Sequence, residues 1–129
     1  MTNDDIIKSA TVLSGEQPAT NGDYLSRSYS LLALIYNQCA ALDKLYRKVN
    51  DLPESTWVPV AQVSSLSAAC PLSDVFFSAV SFGLASFFVM DENPELSKQF
   101  GALYLAKLTE IRQMIPAVLE PIVDRYHLN

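Results

Sequence analysis

The longest stretch free of glycine and proline runs from Asp23 to Leu52, and within it apolar residues fall at Tyr24, Leu25, Leu31, Leu32, Ile35, Tyr36, Cys39, Leu42, Leu45, Tyr46 and Val49. Steps of three and four predict one long amphipathic helix over Asp23 to Asn50. Lys44, Arg47 and Lys48 suit the negative end of its dipole, and Asn50-Asp51-Leu52-Pro53 closes it. Ahead of it, Ile6, Ile7, Ala10 and Leu13 recur at the same spacing. They predict a short helix over Asn3 to Val12, with Asn3 or Asp4 as its cap. Between the two, Ser14 to Gly22 contains two glycines and a proline and reads as a loop.

Past Pro53 the pattern changes. Trp57-Val58-Pro59-Val60-Ala61-Gln62-Val63 has the β-branched and aromatic character of a short strand or an extended arm, and Pro59 confines it to an edge. A second extended piece over Ser65 to Ala68 would make a hairpin. Pro71-Leu72-Ser73-Asp74 opens a helix with Ser73 or Asp74 near its cap, and Val75 to Met90 follows without a charge or a proline. That run is too short for a bilayer, which needs about twenty residues, so it reads as a buried helix. Phe76, Phe77, Phe82, Phe87 and Phe88 cover more than one face and require packing from several sides. Gly83 costs about 1 kcal/mol against alanine in mid-helix and marks a close helix crossing.

Asp91-Glu92-Asn93-Pro94 makes a turn, with Asn93 as N-cap and Pro94 in the first helical position. The helix that follows runs to about Ile115 through Leu96, Phe100, Leu103, Tyr104, Leu108 and Ile111, and so short a linker forces it antiparallel to its predecessor. Pro116 and Pro121 bracket or kink a last segment, Ala117 to Tyr126. The expected fold is therefore mainly α, a single domain over residues 1–129. It is a small bundle of four to five helices with an extended arm or β-hairpin, residues 53–70, between the second and third.

At 129 residues, folding buries roughly two-thirds of the extended chain's surface, enough for a core without staples. Nine Lys and Arg against fourteen Asp and Glu give a net charge of -5, the wrong balance for gripping phosphate backbones. The start, MTNDDIIKSA, lacks the basic and apolar regions of a secretory signal, so a cytoplasmic site of synthesis and no membrane are expected. Cys39 and Cys70 are far apart and form no CxxC pair, which suggests neither a disulfide scaffold nor a zinc site.

Little in the chain supports catalysis. Its one histidine, His127, stands near the C-terminus, and Asp91, Glu92 and Glu95 read as acids placed on the positive end of a helix. No phosphate-binding, dinucleotide, zincin or EF-hand motif occurs. No catalytic residue, metal site or cofactor is expected. What does stand out is that Ser55 to Met90 holds a single charge, Asp74. A chain this small can bury one such helix but has difficulty also covering the uncharged arm, so part of that surface is expected to face another protein. Trp57 would either anchor such an interface or pack over the protein's own helices.

Certain residues, in order, resemble a known family. Asp5-Ile6-Ile7, Ala10, Gly15-Glu16 with Pro18, and Leu34-Ile35-Tyr36-Asn37 look like the N-terminal half of head-to-tail adaptor (connector) proteins of tailed bacteriophages. Pro71-Leu72, Ala79 and Phe82-Gly83-Leu84-Ala85 resemble their central helix. The resemblance implies a structural virion protein, not an enzyme. It would form a ring, commonly of twelve copies, that joins the portal protein to the tail or stopper protein in the virion neck, after assembly in the host cytoplasm. The arm would touch neighbouring copies, making Trp57, Val58, Val60, Val63 and Leu66 candidate contact residues. Residues 116–129 would dock on the portal through Arg125, Tyr126, His127, Leu128 and Asn129. Twelve copies at -5 carry roughly -60, so genomic DNA would pass an acidic channel without specific binding. The alternative is a small acidic helical binding module, acting as a dimer, that holds one partner polypeptide on Ser55 to Met90 as a regulator or chaperone would.

Overall fold

A computed structural model describes residues 1–15 and 22–115, with side chains from residue 27 onward in the second helix. Among the described residues four helices follow in order: α1 (Asn3–Ser14), α2 (Gly22–Val49), α3 (Phe77–Val89) and α4 (Pro94–Gln113), with a 3₁₀ turn at Asp74–Phe76 leading into α3. The mainly helical class stands. Most of the loop before α2 and the whole segment 116–129, including Arg125 to Asn129, lie outside the described residues.

The cap of α1 is Thr2, one residue before the expected Asn3 or Asp4. Thr2 Oγ1 accepts from the Asp5 N–H at 3.2 Å, and Asp5 Oδ2 accepts from the Thr2 N–H at 2.9 Å. This reciprocal box satisfies two of the helix's orphan donors. That N–H, with the charges nearby, holds the Asp5 carboxyl below its ordinary value. Asn3 is displaced from the capping role because its side chain is wanted in the interior, where it is 2 % exposed.

α3 is the central element. Its buried Val80, Leu84 and Ala85 join Ile6, Ile7 and Ala10 of α1, Leu32, Ile35 and Tyr36 of α2, and Phe100 and Ile111 of α4 in one core. Packing from several sides explains how a helix without charge is accommodated. At Gly83 an added Cβ would lie 3.1 Å from Tyr104 Cδ1 and 3.4 Å from Ile35 Cδ1, so α2 and α4 both close on α3 at this glycine. The α3–α4 hairpin is antiparallel. Asn93 caps α4 by accepting from the Leu96 N–H, and Phe82 stacks on Phe100 with centroids 6.2 Å apart. Ser86 Oγ donates to the Ser97 carbonyl while Ser97 Oγ donates to that of Ser86.

Ser81 is the exception to this polar pairing. Its hydroxyl is buried without a partner among the described residues. An unpaired buried hydroxyl costs about 1–3 kcal/mol, so Ser81→Ala is expected to leave stability unchanged or raise it. Thermal unfolding checks this, and a loss above about 1 kcal/mol would mean the hydroxyl has a partner.

The expected hairpin does not form. The described residues contain no strand, only an isolated antiparallel bridge between Thr2 and Ala69. Residues 65–70 pair with the start of α1 instead. The Asn3 N–H donates to the Ala68 carbonyl, the Asp4 N–H to that of Leu66, and the Cys70 N–H to that of Met1. The physical reason lies in the first turn of α1, whose free N–H groups attract carbonyls that a hairpin would have used internally.

Candidate assembly surface

The segment between α2 and α3 is an arm laid along α2, and its two roots are held by one ion pair. Asp43, with its side chain 0 % exposed, lies one turn before Arg47 on α2, and Arg47 Nε donates to Asp43 Oδ2 at 2.8 Å. Asp43 Oδ1 accepts from both the backbone N–H and the hydroxyl of Ser73, at 3.0 and 2.7 Å. The other arginine nitrogens reach the arm's ends. Nη1 donates to the Pro53 carbonyl at 3.0 Å and Nη2 to the Pro71 carbonyl at 2.9 Å. The planar guanidinium fork suits a job that needs several donors in fixed directions. Because Ser73 is engaged here, its hydroxyl does not cap the 3₁₀ turn.

Between its roots the arm is fastened by one face. Trp57 packs edge-on against Tyr36, with centroids 5.6 Å apart, and its indole N–H donates to Asn37 Oδ1 at 3.0 Å. Asn37 Nδ2 donates to the Val60 carbonyl, and the Val63 N–H donates to the Tyr29 carbonyl. Tyr36 is fully buried, and its hydroxyl donates to Asn3 Oδ1 at 2.6 Å while Asn3 Nδ2 donates to the Ser65 carbonyl. This chain of contacts ties the arm to α1 and α2 together. Of the arm residues expected to touch a partner, Val58 and Val60 face outward, 68 % and 42 % exposed. Trp57 and Leu66 are half-buried against the core, and Val63 is buried. Backbone geometry accounts for the division, since in an extended segment Val58 and Val60 share the side opposite Trp57.

A groove of about 540 Å³ remains between arm and helix, lined by Tyr36, Trp57, Val63, Cys70 and Arg47 among others. The polar groups it meets in Asn3, Trp57 and Arg47 already have partners within the chain. Among the described residues, no group of three or more His, Cys, Asp or Glu could hold a metal ion, and no helix is long and apolar enough to cross a membrane.

The two cysteines are free thiols, Cys39 buried and Cys70 half-buried. Cys39 Sγ lies 3.6 Å from the Tyr104 hydroxyl, which donates to Gln38 Oε1. Burial pushes the Cys39 thiol from 9.0 to about 11 and raises the hydroxyls of Tyr36 and Tyr104 as well. These groups stay neutral in the folded chain while the unfolded chain releases their protons near ordinary values. Stability is therefore expected to hold up to about pH 9 and to fall from there through pH 11, with Cys39 alone contributing about 3 kcal/mol of the loss. Urea unfolding followed across that range tests it, and a flat profile would contradict buried, neutral groups.

The arm was legible as an uncharged extended segment, but its clasp was not. Asp43 and Arg47 are one turn apart, a spacing found on any solvated helix, and only the return of Pro71 and Ser73 to that turn distinguishes them. The chain matches no family model, no curated protein sequence and no solved structure.

Proposed function

We propose that this protein is a structural assembly subunit of the head-to-tail adaptor kind, with no catalytic activity. The observation that carries the reading is the clasped arm. A buried ion pair and Trp57 hold an uncharged extended segment against the bundle with Val58 and Val60 turned to solvent. Presenting an ordered apolar edge from a rigid helical support is what an interlocking subunit requires, because ordering is already complete before contact. The order of residues resembling phage adaptors supports the finer statement. Copies would sit in a ring, commonly of twelve, between portal and tail or stopper in the virion neck. Its acidic balance would let DNA pass without sticking.

The test is affinity recovery of the full tagged chain from the source lysate with gentle cross-linking, followed by mass identification of what accompanies it. Recovery in a megadalton particle with a portal-sized protein supports the adaptor reading. Recovery as a one-to-one complex with a single small polypeptide would replace it with a binding module, for which the uncharged region from Ser55 to Met90 would be the surface to map.

A further inference from the structure

The arm is not fastened evenly along its length. In its first half, residues 54–62, every residue except Ser55 and Trp57 is exposed, and among the described residues this half makes no backbone-to-backbone hydrogen bond. One side chain on α2 holds it, since Asn37 accepts from the Trp57 indole and donates to the Val60 carbonyl. The second half, residues 63–73, is built differently. Val63 and Leu72 enter the core, only Ser64, Ser67 and Ala69 are exposed, and backbone hydrogen bonds run to Tyr29, Asn3, Asp4 and Met1.

The roots of the first half are equally definite. At the near end Asp51 lies in the left-handed region at φ 55°, and the Leu52 N–H closes back on the Arg47 carbonyl, which fixes the chain's exit from α2. Arg47 Nη1 then holds the Pro53 carbonyl. At the far end the chain bends at Ala61 and Gln62, just before the Val63 N–H is bonded to Tyr29. Beneath this span lies the groove of about 540 Å³, with Tyr36 and Cys70 in its lining. A loop whose ends are held together ordinarily fills its interior with its own side chains, and here Trp57 turns inward but leaves the space open. A segment with few buried contacts over an unfilled space is the part of a fold that opens first.

We propose that residues 54–62 are a flap, which swings off the groove as one unit about its roots at Pro53 and Val63 while residues 63–73 and the helices stay folded. Closed, it is the ordered edge described above. Open, it withdraws Trp57 from Tyr36 and widens access to the half-buried Cys70 thiol. The inference concerns a single copy and does not depend on the assembly reading.

The test is native-state hydrogen exchange of the full chain by NMR, at urea concentrations well below unfolding, where each group reports its own route of opening. The indole N–H of Trp57, the only tryptophan, reports the flap, the Val63 and Cys70 amides report the second half, and the α3 amides report the bundle. The indole is expected to be protected at least tenfold less than the other three, with almost no dependence on urea, because little surface is exposed when a flap opens. Ile111→Val, which thins the core on α4, is expected to speed α3 exchange several-fold and leave the indole unchanged, since the open-flap form keeps that contact. An indole with the same protection and urea dependence as the α3 amides, or one that accelerates with them in Ile111→Val, would overturn the proposal, because the flap would then open only with the bundle. Val63 and Cys70 amides exchanging together with the indole would overturn it too, by making the whole arm one unit. So would an indole that exchanges as freely as in a short peptide, since no closed flap would then exist.

Discussion

Arg47→Met is expected to destabilise the protein by about 3–5 kcal/mol, because it leaves the Asp43 carboxylate buried without its countercharge. Methionine keeps much of the arginine's apolar reach, so the loss reports the guanidinium. The carbonyls of Pro53 and Pro71 lose their donors in the same substitution, which frees both roots of the arm. Hydrogen exchange should therefore rise through residues 54–70 before the helices open. The double variant Asp43→Leu with Arg47→Met is expected to recover part of the stability, since no unpaired charge remains, while the arm stays loose. Urea unfolding with exchange by mass spectrometry measures both effects. An Arg47→Met protein within about 1 kcal/mol of the parent, with a protected arm, would mean that the ion pair is not what holds it.

Tyr36→Ala is expected to cost a similar amount, about 3–5 kcal/mol, because it removes the largest fully buried side chain among the described residues and the surface on which Trp57 rests. The hydroxyl contribution can be read separately. Tyr36→Phe keeps the ring and leaves Asn3 Oδ1 without its 2.6 Å donor, at a cost of about 1–3 kcal/mol. In both variants the indole fluorescence of Trp57, the only tryptophan, reports the arm directly. A red shift is expected for Tyr36→Ala and little change for Tyr36→Phe. An unshifted spectrum in Tyr36→Ala would place the indole's support elsewhere.

How much of this was readable from the chain depends on the range of the interaction. The helices were, because periodicity and punctuation are local: α2 begins within a residue of expectation, and Asn93-Pro94 opens α4 as its capping chemistry dictates. The crossing at Gly83 was also readable, as a mid-helix glycine needs a packing reason. The first residue of α1 was placed correctly but its cap was placed too late, since Asn3 resembles a cap but serves Tyr36 and Ser65. The hairpin failed for a non-local reason. Leu66 and Ala68 found acceptors' work at the N-terminus of a helix more than sixty residues earlier in the sequence, with Asn3 Nδ2 to Ser65 spanning 62 positions. The Asp43 clasp is likewise a contact across 30 positions to Ser73, invisible to any pattern along the chain. For the surface, charge depletion between Ser55 and Ser73 pointed to the arm.

The most direct test of the assembly account is the copy number and symmetry of the particle that contains this chain, from native mass and electron imaging of the complex recovered from its source. The account predicts a closed ring of identical subunits, about twelve. A two-fold dimer, or a single copy bound to one polypeptide with the arm buried against it, would contradict it.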